Sequence, residues 1–354
     1  MSLSPVERVA DALLFEGYLL YPYRASAVKN RLRFNFGVVY PQASDALATE
    51  GDDACLMRTV CLLEGEQDIR LDVKVRFLQL VQRTIGALPQ HSASDDSSLS
   101  DYVPVDVLHV DDRTLQPWHE AVERAMVMEG VAVDALCVRP YRVSFAFPAT
   151  EALEPVRNVS GDLVGVIVRR QRDIDAEINL EATALAPGLY RVSVQINNVS
   201  PADSARGGGR DELLLRSLVS AHTILLAPGG AFVSLLDPPE VHAEHAAGCQ
   251  GVRSWPVLVG GSGQRDTMLS SPIIIYDYPL IAPESAGDLF DGTEIDEILS
   301  LRILTMTDAE KSEMRQTDER ARLLLERTES LDAESLMRMH GIMRDVSPLA
   351  AEHA

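Results

Sequence analysis

The chain has 354 residues, 46% of them apolar and 24% charged, ordinary proportions for a globular fold that exclude wholesale disorder. Its 53 acidic residues against 32 basic ones give a formal net charge of -21, which sets most of the surface against a phosphate backbone and removes DNA and RNA from the expected partners. No run nears the roughly 18 apolar residues of a membrane span, and MSLSPVERVADALLFEGY lacks the cationic start and long apolar stretch of a signal peptide, so a cytoplasmic location is expected.

In chain order, residues 5 to 16 read as a helix. RLRFNFGVVY alternates, with Leu32, Phe34, Phe36, Val38 and Tyr40 on one side and Arg31, Arg33 and Asn35 on the other, which predicts a half-buried strand. ACLMRTVCLLEG reads as a second strand. DIRLDVKVRF is a third, its odd positions apolar and its even positions charged, until Leu78 and Leu80 shift the parity and predict a bulge or a switch into helix near Phe77. HSASDDSSLSD (91–101) is loop. LQPWHEAVERAMVM places Trp118, Ala121, Val122 and Ala125 on one helical face.

The run LVGVIV (163–168) predicts a strand covered on both sides. DIDAEINLEATAL and LYRVSVQIN alternate about a Pro187-Gly188 turn and form a hairpin with one buried face. HTILLAPGGAFVSLL reads as a second hairpin about Pro228-Gly229-Gly230, and SPIIIYDYP (271–279) as another covered strand. After Pro283 the texture turns helical. TDAEKSEMRQTDERARLLLERTE opens with a capping box, Thr307 with Glu310, and its low apolar content predicts a solvated arm or a partner-binding helix. ESLDAESLMRMHGIMRD predicts a short last helix. The fold class is therefore mainly β with α (α+β): an antiparallel β-sandwich over 1–285 with helices on its edges, a helical region over 286–345 and a tail over 346–354.

Chemistry is sparse. His242, His245 and Cys249 in HAEHAAGC would share one face of a helix and suit zinc or nickel, but Gly248 interrupts that helix and no fourth ligand is evident. GDLFDGTEIDE fails the calcium-loop register, which would put Gly287 and Leu289 at ligand positions. VLVGGSGQRD and RGGGRD match no phosphate-loop pattern, and Cys55, Cys61, Cys137 and Cys249 lack close pairing and read as reduced thiols. No cofactor and no enzymatic activity are expected. The segment from 21 to 33 is basic and aromatic: Tyr21, Tyr23, Arg24, Lys29, Asn30, Arg31 and Arg33 either pair with the chain's own acids or dock on an acidic protein partner.

Three long phrases, DALLFEGYLLYPYRASAVKNRLRFNFGVVYP, SAHTILLAPGGAFVSLLDPPE and SSPIIIYDYPLIAPESAGDLFDGTEIDEILSLRI, resemble a family of accessory proteins encoded beside actinobacterial-type, high-affinity nickel-iron hydrogenases. The resemblance spans about residues 11 to 330 and brings no catalytic residues with it. It implies a non-catalytic role in assembly, maturation or stabilisation of a hydrogenase, with hydrogenase subunits or a maturation factor as partners. A metal-handling protein using His242, His245 and Cys249, and a self-assembling scaffold, are the competing readings.

Overall fold

The computed structural model describes residues 5–18, 33–42, 55–66, 68–88, 99–201, 209–261, 263–279, 300–317, 319–332 and 334. The chain divides into two units, Met1–Leu280 and Ile281–Ala354. The first begins with helix α1 (Pro5–Leu14), followed by β1 (Leu56–Glu64), β2 (Arg70–Ala87), β3 (Val103–Val105), β4 (Leu108–Val110), β5 (Arg113–Leu115) and β6 (Trp118–Ala132). After α2 (Val133–Val138) come β7 (Tyr141–Phe147), β8 (Thr150–Arg157), β9 (Leu163–Gln171), β10 (Ile174–Ala186) and β11 (Leu189–Asn198). Then follow α3 (Arg210–Leu214), β12 (Val219–Leu226), β13 (Ala231–Val233), α4 (Ala243–Ala247), β14 (Trp255–Leu258) and β15 (Thr267–Ser271).

Every ladder between these strands is antiparallel. A five-stranded sheet runs β13-β1-β11-β10-β7, and an eight-stranded sheet runs β14-β15-β12-β2-β9-β8 with β3 and β6 on the other edge of β2. The alternating sequences explain how the two join. Cys61, Ile178 and Val194 from the smaller sheet meet Val73, Val75, Phe77 and Leu225 from the larger in one core, the buried layer of a β-sandwich. The expected hairpin is β10 and β11, turning at Gly188 (φ +73°).

The parity shift at Phe77 has a double cause. Opposite Phe77, β12 carries two residues, Ser220 (φ +53°) and Ala221, so the bulge lies in the partner strand. β2 itself stays extended, and beyond this point its other face is covered too: Leu78 and Leu80 join a second core with Leu14, Tyr18, Phe34, Val38 and Leu213 to Leu215. Helix α1 adds Val9 and Ala10 to Ile224, Val257 and Leu269. It therefore packs on the face of the larger sheet, not on an edge as expected.

Four sequence expectations are corrected. The helix predicted around 115–128 is strand β6, paired with β2 from Arg83↔Trp118 to Arg70↔Ala132; thirteen ladder pairs outweigh a weak local helix preference. The second predicted hairpin does not close, since β12 lies in the larger sheet and β13 in the smaller, and the turn at Gly229 (φ +80°) carries the chain across the sandwich. After Ser271 the segment 272–279 forms no strand. Nor do residues 33–40: Phe34 (φ +62°) and Gly37 (φ +52°) bend the chain, leaving an isolated bridge between Val39 and Leu218.

At Gly37 a Cβ would stand 2.6 Å from Pro272 Cγ in a backbone conformation that L-residues avoid. The Gly37→Ala variant is expected to lose about 2 kcal/mol, read from the denaturant midpoint at unchanged slope.

In the second unit the capping box forms as predicted: Glu310 N donates to Thr307 Oγ1 at 3.3 Å and Thr307 N to Glu310 Oε2 at 2.9 Å. The charged stretch is not one solvated arm. It makes two helices, Asp308–Thr317 and Glu319–Glu329, tied by Lys311 (3.2 Å) and Arg315 (2.6 Å) to Glu329, with Met314, Ala321 and Leu325 buried. The GDLFDGTEIDE segment lies outside the described residues, and so does the predicted last helix (329–345) apart from its first four residues, 329–332, and Glu334. Among the described residues no helix is long and apolar enough to cross a membrane.

Candidate functional site

Of the basic aromatic segment, Tyr21, Tyr23, Arg24, Lys29, Asn30 and Arg31 lie outside the described residues. Arg33 is turned inward and only 5% exposed. Its guanidinium carbon sits 3.4 Å from the centre of the Trp118 ring and 4.6 Å from that of Phe34, while Nη1 donates to Tyr18 O (3.1 Å) and Nη2 to His119 O (2.8 Å). Aromatic faces and carbonyl oxygens together make burial of this charge tolerable. Arg33 thus ties the chain after α1 to the start of β6 rather than facing a partner.

Two further arginines stand around it. Arg83 on β2, also buried, donates to Glu120 Oε1 (3.1 Å) and to Gln116 O (3.0 Å). Arg210, the first residue of α3, donates to Phe34 O (2.8 Å) and Asn35 Oδ1 (2.7 Å). With His119, Thr84, Asp106 and Asp211 these three arginines line a cavity of about 550 Å3 on the larger sheet. Burial and then the neighbouring Arg33 charge hold the His119 imidazole below its ordinary pKa, so it is neutral at pH 7.

His242, His245 and Cys249 are not brought together as a ligand set. His242 ends a short 3-10 turn and places Nε2 2.8 Å from Glu64 Oε1, whose second oxygen accepts from Arg265 at 3.0 Å. His245 belongs to α4, which stops at Gly248 after five residues, and the Cys249 thiol donates to His245 O at 3.5 Å. Burial pushes the Cys249 thiol up, with Arg191 opposing, so the protonated form, a poor ligand, prevails. Among the described residues no group of three or more His, Cys, Asp or Glu side chains is placed to hold a metal ion.

A polar network beneath α1 went unread in the sequence. Arg76 reaches Asp11 of the helix and Glu123 of β6 (2.8 Å), Lys74 reaches Glu7 (3.3 Å), and Ser220 Oγ donates to Leu13 O (3.0 Å). His222, fully buried beside them, donates from Nδ1 to Ser220 O at 3.1 Å. The charged even positions of DIRLDVKVRF were the available signal: two of them, Lys74 and Arg76, face helix α1, while Arg70 and Asp72 bond to Gly130 of β6.

On the surface, Ile274 (69% exposed) and Tyr276 (86%) stand out from segment 272–279. The neighbours between and after them hold the backbone still. Ile275 packs beside α1's Val9 and Ala10, Asp277 accepts from Ser234 Oγ and from Leu258 N (2.7 Å), and Tyr278 N donates to Leu258 O (2.7 Å). Two large apolar side chains are thereby presented to solvent on a fixed frame. Comparison of the chain with protein-family models, with curated proteins and with solved structures finds no match.

Proposed function

We propose that this protein is a non-catalytic accessory factor that works by gripping another polypeptide, in the assembly, maturation or stabilisation of a nickel-iron hydrogenase. The observation that carries the protein-binding reading is the anchored display of Ile274 and Tyr276. Two neighbouring large apolar side chains on one anchored segment form a surface that a partner can cover, and a tyrosine in a prearranged frame is a frequent interface hot spot. The hydrogenase assignment rests on the resemblance of the three long phrases, one of which, SSPIIIYDYP, contains this display. The partner is a hydrogenase subunit or a maturation factor.

The test is affinity capture of the full chain from its native host, with mass spectrometry of what is retained, beside an Ile274→Asp/Tyr276→Asp double variant. Both positions are exposed, so the variant is expected to melt like the parent. Hydrogenase subunits or products of neighbouring genes should accompany the parent, and their retention should fall by about 30-fold in the variant, the equivalent of losing about 2 kcal/mol of contact. Equal retention by both chains would remove this surface from the reading, and capture of unrelated proteins alone would remove the hydrogenase.

A further inference from the structure

A strand at the rim of a sheet presents unpaired N–H and C=O groups that template pairing with another chain, so such edges are ordinarily short, charged, bent or covered. Most edges of this sandwich follow that rule. β13 and β3 have three residues each, and β8 carries Pro155 together with Glu151 and Glu154, which pair with Arg170 and Arg169. β14 is met at Leu258 by segment 277–278, and β6 bears Glu120, Glu123, Arg124 and Glu129 and bends at Gly130 (φ +64°).

β7 has none of these protections. It ends the smaller sheet beyond β10, and among the described residues no strand pairs with its other edge. Its sequence YRVSFAF holds one charge and no proline or glycine, and it is rich in the aromatic and branched residues that favour strands. Val143, Phe145 and Phe147 pack against the core yet stay partly exposed, while Arg142, Ser144 and Ala146 lie on the outer face.

A second copy of the chain offers the complementary strand. Antiparallel pairing about a twofold axis at Ser144 engages all seven residues and keeps the apolar positions of both copies on the core face, Tyr141 opposite Phe147 and Val143 opposite Phe145. On the outer face Arg142 then stands opposite Ala146 of the second copy, and behind that alanine, in register on β10, comes Asp175. Two strand spacings, about 10 Å between Cα atoms, lie within the joint reach of an arginine and an aspartate, and the alanine between them leaves the path open. In its own chain Arg142 makes only an exposed pair with Glu177 at 3.4 Å, and the Asp175 carboxylate has no partner among the described residues. In this register no two like charges stand opposite each other.

We infer that the protein forms a twofold dimer in which β7 pairs with β7 of a second copy, joining the two smaller sheets into one, with Arg142 reaching Asp175 across Ala146. The interface shares no residue with the Ile274 and Tyr276 display, so its fate is independent of the partner-binding reading.

Sedimentation equilibrium of the full chain, from about 1 to about 100 μM at about 0.15 M salt, decides the matter. The parent should reach twice the 38.8 kDa of one chain. Arg142→Glu and Asp175→Arg should each weaken the dimer about tenfold or more, because every reversal acts at two symmetric contacts. Combined in one chain they restore opposite charges across the axis, and the dimer should return to within about threefold of the parent. Within a single chain the two positions lie at opposite ends of the β7–β10 ladder, so this rescue reports contact between copies. The Ile274→Asp/Tyr276→Asp variant should dimerise as the parent does. A parent that stays monomeric, single reversals without effect, a combined variant no better than the single ones, or loss of the dimer in the Ile274/Tyr276 variant overturns the inference. If a reversal fails to fold, Ala146→Arg decides: its cation lies beside Asp175 of its own chain but opposite Arg142 of the second copy, so it should weaken the dimer about tenfold, and an unchanged dimer overturns the inference.

Discussion

Replacing Phe77 by alanine is expected to lower stability by about 4 kcal/mol, the largest loss that any single truncation in the sandwich should cause. Phe77 is fully buried on β2 of the larger sheet, and its ring meets Phe147 of the smaller sheet edge to face, with centroids 5.2 Å apart. One side chain therefore bridges both layers, and its removal opens a void where neither sheet can move alone to fill it. Loss of the aromatic pair adds about 1 kcal/mol to the transfer cost and is included in that figure. Against a typical total of about 5–15 kcal/mol, the variant loses between about a quarter and about four-fifths of its stability and melts about 10 °C lower. Phe77→Leu, which keeps most of the volume, should lose about 1.5 kcal/mol. Denaturant curves for the pair check the claim: equal midpoints for Ala and Leu would show that Phe77 does not span the sheets.

The strands with one buried face declare themselves in the sequence by alternation, whereas β1, β9 and β12, covered on both faces, were found by their continuous apolar runs. β10 and β11 alternate cleanly because one side of each lies in the core between the sheets, and Pro187-Gly188 has no other use than a turn. β6 was misread because its first half is partly covered on both sides, so period 2 is blurred and the spacing of Trp118, Ala121, Val122 and Ala125 mimics a helix. Its second half, with Met126 and Met128 in the core, does alternate. Residues 33–40 show the opposite failure. The alternation exists in the sequence but burial does not follow it: Phe34, Val38 and Tyr40 share one cluster and Val39 joins another, while Phe36 is exposed, because two positive φ angles bend the chain and prevent a ladder. Site residues were harder still. Arg33 stood out by type, yet its direction depends on Tyr18 and Trp118, fifteen and eighty-five positions away, and no local pattern carries that information.

Acidification should weaken this fold through His222 well before the carboxylates as a whole are protonated. Burial first, and the nearby Arg76 charge after it, hold the imidazole down at about 4, against an ordinary 6.5; its bond to Ser220 O and the proximity of Asp11 act the other way, and Lys74 adds a smaller downward push. The sign follows from linkage. Between these two values the unfolded chain binds a proton that the folded chain refuses, so the stability due to neutral His222 is complete above pH 6.5 and is lost as the pH falls towards 4. The separation corresponds to about 3 kcal/mol. Its structural consequence falls on α1, because a proton on Nε2 would place a second cation beside Arg76, whose bonds to Asp11 and Glu123 strap the helix to the larger sheet. Denaturant titrations at pH 7.5, 6, 5 and 4 on the parent and on His222→Asn, which can still donate to Ser220 O, separate this effect from general acid sensitivity. The variant is less stable at pH 7.5, but its loss on going to pH 4 should be about 3 kcal/mol smaller than the parent's. Parallel curves for the two proteins would mean that His222 takes up its proton equally in the folded and unfolded chain.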